Sequence, residues 1–273
     1  MPVLGASGSP VPLHVDEDDP CFFDHPLDHV PGMLLVAALL DLIRARMREQ
    51  ADAGFGRLRI SLSFDRICER DRPVLLHCDP VPADDGPAWR LLADQDGETV
   101  CQAVAGLGRT AAPTGRRTAT GTAGPDGDLP ADAALVHRRL PENILLGTAV
   151  RTERAAVLVP SDGHRLQGDA EGLHTPDALI ESARQMATML GHTAHGRDPD
   201  AQMLWLSLEA DVPTGLPTSV PLALHWEFTP ARGARAAYPM VLVDAESGEP
   251  HGRIEIVVHS LDRARYERRR AAK

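Results

Sequence analysis

Residues 33 to 43 read MLLVAALLDLI, eleven positions that are apolar except for Asp41. The run predicts a helix from residue 31 to about 48, and apolar residues all round it predict burial on every side. Only the following RARMREQ has the composition of an exposed turn. A second helix is predicted over about 176 to 192, with Thr175 as N-cap, Pro176 at the first helical position and Asp177 in the first turn. Its apolar positions include Leu179, Ile180, Ala183, Met186 and Leu190. Glu181, Arg184, Gln185 and Thr188 recur at three- and four-residue spacing and form one polar stripe, whose plainest reading is a solvated face carrying a Glu–Arg pair.

Runs that alternate or are rich in β-branched residues surround both helices, bounded by Gly, Pro and Asp as strands are. A short lead, VPLHVD, precedes the first helix, and LRISLSFDRI, PVLLHCD, AWRLLADQ and TVCQAVAGLG follow it. NILLGTAVRT and AAVLVP precede the second, and MLWLSLEADV, SVPLALHWEF, YPMVLVDA and RIEIVVHS follow it. Between these sets, AAPTGRRTATGTAGPDGDLP (111–130) has four Gly, three Pro, four Thr and four Ala, a composition that buries little. The chain therefore divides into a first half over 1–112, a linker over 113–130 and a second half over 131–273. One long helix with a meander of antiparallel strands, used twice, predicts an α+β architecture in which each helix is wrapped by sheet.

Composition narrows the partners. A net charge of −11 argues against nucleic acid or an anionic membrane, both of which reward clustered Lys and Arg. The tail LDRARYERRRAAK, with six basic residues against two acidic, reads as a solvated terminal helix. Four cysteines without a C-x-x-C pair suggest a reducing compartment. No signal peptide is legible and no apolar run approaches the roughly 20 residues of a membrane span, so a cytoplasmic location is expected. No nucleotide fingerprint or G-x-S-x-G elbow is present, and no cofactor is expected. His25 and His29 are four apart, but Pro26 and Pro31 oppose a helix there, and no metal site is expected.

A Pro-Gly that opens a buried helix behind a His-bearing loop resembles the hotdog fold of acyl-thioester enzymes. More closely, DHVPGMLL (28–35) resembles a signature of the A-factor biosynthesis proteins, the AfsA-type γ-butyrolactone synthases. LVHRRLPEN (135–143) and LHTPDALIESARQ (173–185) resemble the pattern of the other half of that family, with His174, Pro176, Glu181, Arg184 and Gln185 in register. The resemblance implies a tandem, double hotdog with its halves in reversed order. The linker permits that order, since twenty extended residues span up to roughly 65–70 Å. It also marks a departure: Ala37, Leu40 and Asp41 stand where the family carries Glu, Arg and Gln.

By this resemblance the chain transfers a β-ketoacyl group from an acyl-carrier-protein or CoA thioester to a small hydroxylated acceptor, dihydroxyacetone phosphate in the family. A hotdog dehydratase or thioesterase and a non-catalytic acyl-binding protein are the alternatives. The expected site is composite. Gly32 and Met33 offer amides at a positive helix end, where a thioester oxyanion is stabilised. His29 assists there, with Asp28 beside it as a cap. Glu181 is the expected base or orienting acid, His174 stands just before its helix, and Arg184 and Gln185 contact the acceptor or Glu181. Oligomerisation is left open.

Overall fold

The computed structural model describes residues 9–48, 56–109, 129–148, 153–168, 170 and 172–271. The first half comprises β1 (Val11–Pro12), α1 (Gly32–Arg48), β2 (Arg57–Phe64), β3 (Leu75–Val81), β4 (Ala88–Gln95) and β5 (Glu98–Gly108). The second comprises β6 (Arg154–Val157), α2 (Pro176–Thr193), β7 (Gln202–Pro213), β8 (Leu222–Trp226), β9 (Arg235–Asp244), β10 (Pro250–Leu261) and a terminal α3 (Arg263–Ala271). All ten strands form one antiparallel sheet in the order β1-β3-β4-β5-β2-β7-β10-β9-β8-β6. That order is a palindrome: β6 to β10 repeat the arrangement of β1 to β5 across the β2–β7 seam. The halves are thus two copies of one α+β hotdog plan.

Strand patterns explain the single covered face. In β5, Cys101, Ala103, Ala105 and Leu107 are buried while Gln102 and Val104 are exposed, as a period of two requires. Both helices pack against the sheet and touch each other. α1 buries Leu35, Val36, Leu39, Leu40 and Ile43. α2 starts where the capping residues predict, with Thr175 Oγ1 accepting from Ala178 N at 3.2 Å.

At the seam, buried Arg57 donates to Asp211 Oδ1 (2.7 Å), Asp211 O (3.0 Å) and His251 O (2.9 Å), tying β2 to the second half. Between the helices, Arg44 of α1 pairs with buried Asp177 in the first turn of α2.

Three expectations change. NILLGTAVRT is not a strand over its described part: a 3₁₀ turn at Pro141–Asn143 leads into isolated bridges at Leu146 and Gly147. The Gln185 side chain occupies the backbone there, accepting from Leu145 N (2.9 Å) and donating to Asn143 O (2.7 Å). The polar stripe of α2 is not solvated, since Glu181, Gln185 and Thr188 are all buried. The terminal helix is docked along one face: Tyr266 is buried, and Arg270 pairs with Glu69 (2.6 Å) and Asp28 (3.0 Å) of the first half. Most of the 113–130 linker lies outside the described residues. Among the described residues no helix is long and apolar enough to cross a membrane.

Candidate active site

A cavity of about 300 Å³ opens between the halves. The tip of α1 and its approach contribute His25, His29, Gly32 and Met33; α2 contributes Arg184 and Thr188. Phe64 at the end of β2 and Trp205 of β7 form an aromatic wall, with ring centroids 5.3 Å apart. A Cβ on Gly32 would stand 3.1 Å from Trp205 Cε3 and 3.3 Å from Phe64 Cζ, so glycine lets both rings close over the helix tip. Leu34 N donates to Pro31 O, but the first N–H groups of a helix have no acceptor within it. The Gly32 and Met33 amides are therefore available to an oxygen in the cavity.

Beneath the cavity floor lies a buried charge network. Glu181 Oε1 accepts from Arg138 Nε (3.1 Å), Arg138 Nη2 (2.6 Å), Arg184 Nη2 (2.7 Å) and Gln185 Nε2 (2.7 Å), and Oε2 accepts from Arg184 Nε (2.7 Å). Arg138 also donates to Cys21 O (2.9 Å) and lies 3.4 Å from Asp24. Burial alone raises a carboxyl pKa, but here the two guanidiniums and the Gln185 amide outweigh it, and Glu181 is held well below its ordinary value. Asp24 follows the same logic: burial opposes, while His25, Arg138, Arg139 N and Asn143 prevail and bring it down to about 2. Two carboxylates and two guanidiniums balance, which is what makes burial of the stripe tolerable.

Three histidine pairs border this network. Asp28 Oδ1 lies 2.8 Å from His29 Nδ1 and accepts from Tyr266 Oη at 2.6 Å. Partial burial opposes ionisation of Asp28, but His29, Tyr266 and Arg270 lower its pKa, so Asp28 is a carboxylate. A carboxylate only accepts, so the His29 Nδ1 carries a proton, and in the neutral imidazole the lone pair is then on Nε2. His25 Nδ1 lies 2.7 Å from Asp24 in a parallel arrangement. His137 Nε2 meets His192 Nε2 at 2.9 Å, and burial, reinforced by His192 and Arg184, pushes His137 down to about 4. His137 also has φ of +52°, an uncommon backbone state for a residue with a side chain.

The structure thus brings His29, Gly32, Met33 and Arg184 onto one cavity. Glu181 and Gln185, both fully buried, lie beneath Arg184 and not on the cavity lining. His174 is elsewhere: it is buried, its Nε2 lies 3.0 Å from Val220 O, and it does not line the cavity. Asp28 is not on the lining and contacts it through His29. His25, which has no place in the family pattern, lines the cavity too, as do His137 and Arg138 of the LVHRRLPEN motif. The contacts of His137 with His192 and of Arg138 with Glu181 join positions more than forty residues apart, which spacing along a chain does not reveal. Cys21 is buried, and burial with Glu181 nearby lifts its thiol to about 12, which removes it as a nucleophile.

The model of the A-factor biosynthesis hotdog domain matches the chain twice, over residues 7–123 and 125–258. A 2-oxo-3-(phosphooxy)propyl 3-oxoalkanoate synthase of Streptomyces virginiae is 38% identical over 111 residues, covering 38% of this chain and 36% of that protein. Among solved structures, a tesB protein of Mycobacterium avium subs paratuberculosis superposes with a TM-score of 0.61 at 14% identity, covering 85% of this chain and 88% of that one. The dehydratase domain of the polyketide protein PpsC from Mycobacterium tuberculosis gives a TM-score of 0.60 at 16% identity, covering 96% and 99%. At such identities the likeness to the solved structures is one of fold.

Proposed function

The chain belongs to the A-factor biosynthesis hotdog family, and from that premise we propose that it transfers a β-ketoacyl group from a carrier-protein or CoA thioester to the hydroxyl of a small phosphate-bearing acceptor. The observation that carries this reading is the meeting, on one cavity, of a helix tip with free amides, a carboxylate-held histidine and a guanidinium. The relative from Streptomyces virginiae is named for an ester of a 3-oxoalkanoate with a phosphorylated hydroxyketone. The matched stretch spans 36% of that relative, so the identities of donor and acceptor are part of the proposal.

In this reading the thioester carbonyl lies against the Gly32 and Met33 amides, where the helix end stabilises its developing negative charge. His29 Nε2 takes the proton from the acceptor hydroxyl as its oxygen attacks the carbonyl carbon. The new C–O bond forms, the C–S bond breaks, and the proton passes from His29 to the departing thiolate, as a general base turned acid does. Asp28 keeps the imidazole in the required tautomer. Arg184 binds the acceptor phosphate. Glu181 acts as an orienting acid: held ionised by two guanidiniums and closed off from the cavity, it fixes the Arg184 fork and takes no proton. Cations from the second half replace the one absent at Leu40.

The test is incubation of a β-ketoacyl thioester with and without dihydroxyacetone phosphate, read by mass spectrometry. An ester that forms only with the acceptor, and is lost in His29→Ala, is the expected result. Free acid formed at the same rate with or without acceptor overturns transfer in favour of hydrolysis. Binding without turnover of any kind overturns catalysis in favour of an acyl-binding role.

A further inference from the structure

Next to the cavity, one strand further into the second half, lies a cluster that the transfer mechanism does not use. Trp226, Phe228, Tyr238 and His195 pack as a cage, with centroids 6.0 Å apart for His195–Trp226, 5.5 Å for His195–Tyr238 and 5.8 Å for Trp226–Phe228. Among the described residues, Trp226 Nε1, Tyr238 Oη, His195 Nε2 and Arg197 Nε are buried atoms with no hydrogen-bond partner. Trp226 is 1% exposed and Tyr238 is fully buried. Arg197 is near enough to perturb both His195 and Tyr238 electrostatically. Interiors rarely leave a buried polar atom unpaired, and four in one cluster point to a shared partner.

The cage adjoins the cavity. Tyr238 of β9 is the register partner of Ile256 of β10, and directly opposed residues project their side chains to the same face. Ile256 lines the cavity, as does Met203. A Cβ on Gly191 would collide with the Met203 methyl carbon and sit 3.4 Å from Tyr238 Oη. Glycine inside α2 costs helix stability, and here it makes room for a flexible thioether between cavity and cage.

We infer that the cage is the distal end of the acyl-binding cavity, reached past Met203, and that it takes a neutral oxygen, a ketone or hydroxyl, carried near the far end of the acyl chain. Trp226 Nε1 and Arg197 Nε can only donate, and Tyr238 keeps its proton because burial pushes its hydroxyl up to about 12. A set of donors suits a carbonyl oxygen with two lone pairs. Met203 and Ile256, both apolar, stand between the cavity and the cage, and an ionised group would lose its hydration on the way past them. The inference rests on the proposed acyl-thioester reading of the cavity and adds to it the chemistry of the chain.

Calorimetric titration of the whole protein with two unreactive pantetheine amides tests it. Both have the same chain length; one ends in a methyl group and the other bears a ketone next to its last carbon. The ketone amide is expected to bind about 2- to 10-fold more tightly, the range of a net hydrogen bond. Tyr238→Phe, which removes only the hydroxyl, should reduce that preference while leaving the methyl-ended amide unchanged, and Trp226→Phe should do the same. Equal affinities in the native protein, or a preference that survives both substitutions, overturn the inference and leave the acyl cavity standing. Failure of both amides to bind overturns the acyl reading of the cavity and this inference with it.

Discussion

Replacing Glu181 by Ala removes a fully buried carboxylate that accepts five hydrogen bonds. The two guanidiniums respond differently. Arg184 is partly exposed on the cavity and can turn toward solvent, whereas Arg138 is buried and keeps only Cys21 O and Asp24 at 3.4 Å. Breaking a buried pair from one side costs about 3–5 kcal/mol, because the remaining charge stays desolvated. For a chain of this size that lowers Tm by roughly 6–20 °C. The pH dependence has a definite sign. The folded pKa of Glu181 lies below its ordinary value of 4.5, so its contribution is complete above that value and fades as pH falls through the lower one. Urea unfolding of native and variant proteins should therefore differ by a constant amount from about pH 5 to 8, and the difference should shrink in acid. Turnover supplies the second readout. An anchor for Arg184 raises the acceptor KM when lost, whereas a general base lowers kcat at unchanged KM. A stability difference below about 1 kcal/mol, smaller than any buried pair cut on one side, would sink the anchoring role.

Two further substitutions probe the helix tip. Gly32→Ala places a methyl group 3.1 Å from Trp205 and 3.3 Å from Phe64, and forcing two packed rings apart should cost about 1–3 kcal/mol in thermal or urea unfolding, with weaker thioester binding. Unchanged stability and affinity would show that the rings yield freely. Tyr266→Phe removes the 2.6 Å hydrogen bond to Asp28, one of the contacts that hold its pKa down, so the acid limb of the kcat/KM profile should move to higher pH. An unmoved limb would detach the terminal helix from the histidine it contacts.

Much of the fold was legible because both halves use strong local signals. Thr175, Pro176 and Asp177 fix the start of α2, and the apolar run of α1 is long enough to require burial on most sides. The strand runs fell within a few residues of β2 to β5 and β7 to β10. The failure at 143–148 is informative. Those residues have strand propensity, but Gln185 satisfies the Asn143 carbonyl and the Leu145 amide, and a ladder cannot use the same groups. Local preference lost to a side chain forty positions away.

The site was legible in its parts and not in its wiring. Glu181 and Arg184, three apart on a helix, form a pair that is neutral by itself, and a neutral pair on a stripe suits solvent as well as it suits a core. What decides the matter is a second cation, Arg138, and a second carboxylate, Asp24, supplied from loops that precede α2 and α1. Counting from the helix starts, Ala37 and Leu40 of α1 occupy the places of Glu181 and Arg184 in α2, and both are buried. A lone carboxylate or guanidinium at either place would face the full cost of desolvation. Apolar residues at 37 and 40 are thus the counterpart of the network at 181 and 184. Where the surrounding loops bring matching charges the helix keeps its ion pair and presents Arg184 to the cavity. Where α1 carries Ala37 and Leu40, it supplies a helix tip to that same cavity instead of a cation.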